Sequence, residues 1–168
     1  MEICPLTPAH WTDVCAIYEQ GVATGNATFT TTAPTWEEWD RGHLATCRLV
    51  AVAASAGLVL GWVALSPVSS RCVYQGVAEV SLYVAAETRG QGIGGQLLAA
   101  LVAESEQHGL WTLQASIFPE NVASVRVHEA AGFRLVGRRE RISQLHGRWR
   151  DTRAIGTPEY LRGPPYYP

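Results

Sequence analysis

The chain contains no lysine, so all 13 of its Lys/Arg cations are arginine. This excludes a P-loop, whose Gly-Lys-Ser/Thr lysine reaches the phosphates. An excess of positive charge is missing too: the 13 arginines face 15 acidic residues, for a formal net charge of −2. The broad basic face expected of a nucleic-acid binder is therefore not expected here. No run approaches the roughly 20 apolar residues of a membrane helix, and the N-terminus lacks a charged start followed by an apolar stretch, so a cytoplasmic protein with no membrane partner is expected. The four cysteines, Cys4, Cys15, Cys47 and Cys72, form no C-x-x-C pair and have no neighbouring histidine ligands. Neither zinc nor a disulfide framework is suggested, and they read as small buried hydrophobes. Repeats and long linkers are absent as well. With 168 residues, 47% hydrophobic and 17% charged, the chain reads as one globular domain over residues 1–155, followed by a Pro/Gly/Tyr-rich tail at 156–168.

What is present is organised around Glu79 to Gln96. Ala78, Val80, Leu82 and Val84 alternate with Glu79, Ser81 and Tyr83, the period of a strand. From Ile93 the apolar residues Ile93, Leu97, Leu98, Leu101 and Val102 fall on a helical stripe. Between the two lies Arg89-Gly90-Gln91-Gly92-Ile93-Gly94-Gly95-Gln96. A strand thus enters a glycine turn and a helix leaves it. The unpaired N–H groups and dipole of that helix start favour an anion, and glycines remove the Cβ atoms that would hold a phosphate away. A glycine turn alone serves packing equally well. The dinucleotide fingerprint G-x-G-x-x-G fits formally at Gly90 to Gly95, but no acidic residue follows at the end of a second strand about twenty residues on, and the loop before it is longer than that fold uses.

In chain order, Glu2 to Leu6 reads as a strand stopped by Thr7-Pro8, and Trp11, Val14, Cys15 and Tyr18 mark one face of a helix running to about Gly21. Gly25 to Thr32 reads as an irregular loop, and Thr35 with Glu38 as the capping box of a second helix. Arg48 to Ala54 and Leu58 to Leu65 suggest a hairpin across Ser55-Ala56-Gly57, with a loop from Ser66 to Gln75 after it. Gly109 suits a helix C-cap, Trp111 to Phe118 a strand, and Asn121 the cap of a helix closed by Gly132. Phe133 begins another strand, and Arg138 to Trp149 suggests a hairpin around His146-Gly147. His10, His43, His108 and His146 read as surface residues. Trp11, Trp36, Trp39, Trp62 and Trp111 read as core or dimer contacts.

Val84 followed by Arg89-Gly90-Gln91-Gly92-Ile93-Gly94 resembles the acetyl-CoA signature of the GNAT acetyltransferases, R/Q-x-x-G-x-G/A. Asn121 to Phe133, N-V-A-S-V-R-V-H-E-A-A-G-F, is similar to that family's later motif N-x-x-A/S-x-x-x-Y/H-E-x-x-G-F. Thr28-Phe29 with Pro34, Ala78 to Val84, Val127-His128-Glu129 and Gly147 to Asp151 resemble the phosphinothricin and methionine sulfoximine acetyltransferase branch, over residues 3–153. The resemblance implies a single-domain α/β fold, with a mixed, mostly antiparallel sheet flanked by helices and two parallel strands splayed around the acetyl-CoA site. It implies acetyl-CoA as co-substrate, no metal, a homodimer, and a small amino-acid-like acceptor such as methionine sulfoximine, methionine sulfone, phosphinothricin or arsinothricin. Detoxification, as in antibiotic or herbicide resistance, would be the biological sense. The cofactor residues implied are Leu82, Tyr83, Val84, Arg89, Gly90, Gln91, Gly92, Ile93, Gly94, Gly95, Gln96, Asn121 and Ser124, and the acceptor residues Phe29, Arg71, Tyr74 and Glu79. By residue type alone, Phe29 could equally plug the core and Arg71 could simply be solvated. Relatives specific for phosphinothricin carry a further basic residue where this chain has Ser69.

Acetyl transfer from a thioester to an amine needs a deprotonated amine, a stabilised oxyanion and a proton for the thiolate. Glu79, inside an otherwise apolar strand, is the candidate base, with a structural ion pair to an arginine as the alternative. A backbone N–H near Leu82 is the implied oxyanion donor. His128 reads by itself as a partly buried helix histidine; the resemblance makes it the proton donor to the thiolate or an acceptor ligand, and gives Asn121 a contact to the pantetheine or sulfur. Two rival functions stay open: acetylation of a protein N-terminus or polyamine, and a CoA-binding sensor without chemistry.

Overall fold

The computed structural model describes residues 1–54 and 57–157. Within these, the alternating segments pair as β1 (Glu2–Pro5), β2 (Arg48–Val52), β3 (Val59–Pro67), β4 (Val77–Val84), β5 (Thr112–Ile117), β6 (Arg134–Leu145) and β7 (Arg148–Gly156). The helices are α1 (Trp11–Ala23), α2 (Trp36–Gly42), α3 (Ile93–Gln107) and α4 (Val122–Ala130). The strands form one seven-stranded sheet in the order β1-β2-β3-β4-β5-β7-β6. Every pairing is antiparallel except β4 with β5, as expected for a mixed, mostly antiparallel sheet.

Each sheet face buries its own cluster. Alternation sends Leu49, Val63, Leu65, Ala78, Val80, Leu113 and Ala115 to one side, where Ile93, Leu97, Leu98 and Leu101 of α3 and Val125 of α4 meet them. The other side takes Val50, Trp62 and Ala64 against Val14 and Ile17 of α1 and Trp39 of α2. The buried stripe of α1 is thus Val14, Ile17 and Gly21; Cys15 and Tyr18, expected on it, lie half-buried at its flanks. Trp39 and Trp62 are core, while Trp111 is exposed.

Local chemistry sets the boundaries. Thr35 and Glu38 form the expected capping box, the Glu38 N–H donating to Thr35 Oγ1 at 3.3 Å and the Thr35 N–H to Glu38 Oε2 at 2.9 Å. His146 and Gly147 both take positive φ, 49° and 75°, the signature of a tight hairpin turn, here joining β6 to β7. That hairpin runs well beyond the expected Arg138 to Trp149, from Arg134 to Gly156. Its pairing shifts register between Leu135 and Gly137 and again between Arg139 and Ser143, and Arg138 holds Asp151 across it. The Ser66 to Gln75 loop is shorter than expected, because Ser66 and Pro67 pair with Glu79 and Ala78, and Cys72–Tyr74 form a 3-10 turn. The Ser55-Ala56 part of the expected β2–β3 turn and residues 158–168 of the expected tail lie outside the described residues. Gly156 still belongs to β7, and the Thr157 N–H donates to Leu113 O at 2.9 Å.

Two residue classes depart from expectation. Only Cys47 is fully buried; Cys4 and Cys15 are half-buried and Cys72 is exposed. His43 is not a surface residue, for its ring stacks on Trp39 with centroids 4.1 Å apart, and burial lowers its pKa against the opposing pull of the Trp39 carbonyl. Cys47, Glu104 and His108 bring their ligand atoms within 4.8 Å of one another, a donor set one short of a closed zinc site.

Candidate active site

The site exists because two neighbouring strands stop pairing. β4 and β5 are in register only at Val77 with Thr112, Ala78 with Leu113 and Glu79 with Gln114, yet β4 continues to Val84 and β5 to Ile117. Above Glu79 the strands separate. The Ala85 N–H donates to Leu60 O on β3, so alternation turns the N–H groups of Ser81 and Tyr83 toward β3 and those of Val80, Leu82 and Val84 toward the gap. The Leu82 N–H thus faces open space inside the protein.

Two cavities meet at this gap. The larger, about 640 Å³, runs along the start of α3 between the ends of β4 and α4. Gly90 and Gly92 adopt φ of 78° and 79°, which a residue with a side chain rarely takes. Gly92 caps α3 without a side-chain hydrogen bond, and the first turn of the helix carries no acidic residue. The amides at that helix start are therefore free to meet an anion, and a Cβ at Gly95 would meet no protein atom within 4 Å. Of the expected cofactor residues, Leu82, Tyr83, Val84, Arg89, Gly90, Gly92, Ile93, Gly94, Gly95, Asn121 and Ser124 line this groove. Gln91 and Gln96 do not. Tyr83 contributes main chain: its ring stacks on Trp62 at 4.8 Å and lies 5.0 Å from Tyr18, and burial pushes its phenol pKa up. Thr88, Asn26 and Glu120, not anticipated, also line the groove.

The smaller cavity, about 240 Å³, opens from the same gap and shares Ala27, Leu82, Tyr83, Asn121 and Ser124 with the groove. Glu79, Phe29 and His128 line it as expected. Glu79 accepts from Gln114 Nε2 at 3.2 Å, and among the described residues no arginine pairs with it. His128 is buried, T-shaped against Phe133 at 5.1 Å, and its Nδ1 lies 2.9 Å from Ser124 O. A carbonyl only accepts, so Nδ1 carries the hydrogen and Nε2 presents a lone pair. That Nε2 is buried without a partner. Burial lowers the His128 pKa, outweighing the Ser124 carbonyl. The resting imidazole therefore presents the lone pair of Nε2 to the cavity.

The wall of the smaller cavity is held from a distance. Arg150 of β7 donates to Gly25 O at 3.0 Å and Asn26 Oδ1 at 2.9 Å, pairs with Glu120 at 3.1 Å, and lies 4.3 Å over the Phe118 ring. Phe118 in turn meets Phe29 edge-on at 4.7 Å. Asn121 is also occupied: Oδ1 caps α4 by accepting from the Ser124 N–H, and Nδ2 donates to Asn26 O at 3.2 Å. Arg71 and Tyr74 are not brought to either cavity; they stack on one another, exposed, in the turn before β4. Ser116 and Thr152, which do line the inner cavity, carried no signal beyond Thr152 following the Gly147 to Asp151 resemblance by one residue.

Residues 13–133 match the acetyltransferase (GNAT) family, and the chain belongs to it. It is 36% identical over 97 residues to L-methionine sulfoximine/L-methionine sulfone acetyltransferase of Pseudomonas aeruginosa, a match spanning 58% of this chain and 56% of that relative's length. It is 31% identical over 153 residues to phosphinothricin N-acetyltransferase of Streptomyces viridochromogenes, covering 90% of this chain and 84% of the relative. Among solved structures, a phosphinothricin acetyltransferase of Sinorhizobium meliloti in complex with AcCoA superimposes with a TM-score of 0.83 at 29% identity, covering 94% of this chain and 87% of that one. A ribosomal-protein-alanine N-acetyltransferase of Brucella melitensis does so with a TM-score of 0.83 at 30% identity, covering 94% and 99%.

Proposed function

We propose that the protein transfers acetyl from acetyl-CoA to the α-amine of a small amino acid or amino-acid analogue of the methionine sulfone, methionine sulfoximine or phosphinothricin kind. The observation that carries this is the junction at Leu82, where a glycine-lined groove opens into a smaller cavity holding a carboxylate and an orphaned imidazole. Acetyl-CoA supplies an activated thioester carbonyl when bound, and the uncapped start of α3 with its glycines suits the pyrophosphate.

Glu79 takes one proton from the acceptor's ammonium, directly or through a water, so that the free amine can attack. The Leu82 N–H, turned into the gap, stabilises the oxyanion. His128 Nε2 takes the second proton as the carbon–nitrogen bond forms and returns it to sulfur as the carbon–sulfur bond breaks, ending neutral. No group of the protein is acylated. The resemblance assigns Arg71 to the acceptor's α-carboxylate, a role that requires the turn before β4 to move toward the site, since Arg71 is exposed against Tyr74 and lines neither cavity. A homodimer is part of the same proposal, with Leu135, Val136, Ile142 and Trp149 exposed on the β6–β7 hairpin as its contact; a monomer in sedimentation equilibrium at micromolar concentration removes it. Among the described residues no helix is long and apolar enough to cross a membrane, and a cytoplasmic location is proposed with the rest.

Free-thiol release from acetyl-CoA, measured against the oxidised methionine analogues, phosphinothricin, arsinothricin, the standard amino acids, spermidine and an N-terminal peptide, tests the reading. Turnover concentrated on amino-acid acceptors is expected. Turnover on the peptide alone would favour the second reading, protein N-terminal acetylation, which the 30% identity to the Brucella enzyme keeps in view.

A further inference from the structure

The end of α3 opposite the glycine turn carries a group of side chains that acetyl transfer does not use. Cys47 in the connection from α2 to β2, Glu104 in the last turn of α3 and His108 just after it each bring a ligand atom within 4.8 Å of the other two. The two stretches lie 57 residues apart at Cys47 and Glu104, so the fold assembles the group and local sequence does not. None of the three lines either cavity.

Each donor is aimed by a contact that leaves a lone pair over. The Cys47 N–H donates to Glu104 Oε1 at 3.1 Å, which holds the carboxylate beside the thiol and leaves Oε2 unspent. His108 Nδ1 lies 3.0 Å from Glu104 O; a carbonyl only accepts, so Nδ1 carries the hydrogen and Nε2 keeps its lone pair. A metal-ligating histidine is ordinarily oriented this way, its other nitrogen donating to a carbonyl or carboxylate. Cys47 takes φ of 58°, a left-handed backbone that favours glycine, and its side chain is fully buried on the inner side of the group.

The surrounding charge favours a cation. The last carbonyls of α3 are the negative end of the helix dipole, and its last turn contains no basic residue. Among the described residues no arginine pairs with Glu104, and the chain has no lysine. A thiol, an imidazole and a carboxylate together suit a borderline-soft divalent ion such as zinc, whereas calcium and magnesium take oxygen ligands. Tetrahedral zinc sets such ligands roughly 3.5 Å apart, so at their widest the donors close by about 1.3 Å. Rotation of exposed His108 and half-buried Glu104 supplies that movement, and the exposed side admits the ion and a water as fourth ligand.

We propose that Cys47, Glu104 and His108 form a zinc-type metal site that clamps the α2–β2 connection to the end of α3. On binding, the Cys47 S–H bond breaks, its proton passes to solvent, and the sulfur electron pair forms the metal–sulfur bond. The site stands at the other end of a 15-residue helix from the cofactor groove, about 22 Å along the axis, so its work is on stability.

The test titrates the full chain, reduced and stripped with chelator, with Co²⁺ and then Zn²⁺. One Co²⁺ per chain should bind and give the intense near-ultraviolet absorption of a cobalt–thiolate bond, which Zn²⁺ then abolishes, and Zn²⁺ should raise Tm. Because Cys4, Cys15 and Cys72 are thiols too, the C4S/C15S/C72S variant should keep the band and C47S should lose it. H108A should weaken Co²⁺ binding by more than about tenfold, the least that losing even an outer contact to a metal costs. If C47S fails to fold, H108A decides, since its ring is exposed. A wild type without the band in a large excess of Co²⁺, a band that survives C47S or is lost in the triple variant, binding indifferent to H108A, or no rise in Tm with Zn²⁺ overturns the site.

Discussion

The two cavities that meet at Leu82 are built in opposite ways. Half of the residues lining the cofactor groove come from one short stretch, the end of β4, the glycine turn and the first turn of α3, and the rest from α1, the loop after it and the start of α4. The smaller cavity is drawn from the α1–α2 loop, β4, β5, α4 and β7, and its members lie up to 125 residues apart, from Ala27 to Thr152. A surface of backbone amides has one use, holding an anion of fixed geometry. One of side chains can be altered a residue at a time without disturbing its neighbour.

Substitutions can break that contrast or sharpen it. The largest effect is expected at the chemistry. Glu79→Gln keeps the bond to Gln114 within reach but removes the base, and should lower kcat by roughly 10²- to 10⁴-fold with KM for acetyl-CoA little changed; unaltered turnover in the thiol-release assay rules Glu79 out as the base. Next is Gly95→Val. A Cβ there meets no protein atom, so the chain folds, but the branched side chain fills the groove. KM for acetyl-CoA should rise about tenfold or more, with acceptor KM unchanged; a rise in both would mean that the cavities are not independent.

Arg150→Ala works through the acceptor wall. Freed from Gly25, Asn26 and Glu120, the loop bearing Thr28 and Phe29 loses its anchor, and acceptor KM should rise about fivefold to tenfold. Arg150→Lys keeps the charge without the planar fork and should recover only part of it. Equal losses against acetyl-CoA and acceptor would show a general loss of structure instead. The smallest effect is on stability against pH. Burial lowers the pKa values of His128 and His43, so the folded state holds both neutral where the unfolded chain begins to protonate. Stability is then full above the ordinary histidine value of about 6.5 and declines as pH falls below it. Thermal melts from pH 8 to 5 should show this, and the His43→Gln, His128→Gln double variant should flatten the decline.

The same contrast explains how much the bare residues could disclose. The part of the groove from Leu82 to Gly95 was readable because it is contiguous: a strand period, a glycine turn and a helix period succeed one another there, and of the cofactor residues expected in it only Gln91 and Gln96 fall away from the lining. Thr35 and Glu38 were readable for the same reason, since a capping box closes over three residues. The acceptor cavity has no such local grammar. Nothing in Gly147-Arg148-Trp149-Arg150-Asp151 says that one arginine will reach back to Asn26, or that the next threonine will be buried with its hydroxyl unmet. Arg71 was picked out by resemblance, and its turn places it outside both cavities. His128 was picked out by resemblance, and which of its ring nitrogens faces the cavity could not be read beforehand, because that depends on the Ser124 carbonyl one helical turn away.

The brief contact between β4 and β5 affects more than the site. Only three residue pairs join the first four strands to the last three, so the sheet is close to two sheets lying edge to edge. The slot for two substrates is the unstitched length of that seam. Below it stand the pairs from Val77 to Glu79; across its mouth, Arg150 and Asn121 tie the α1–α2 loop of one half to the β7 strand and α4 helix of the other. The ties that hold the wall of the smaller cavity are also sutures between the two halves, added to the core that the halves share.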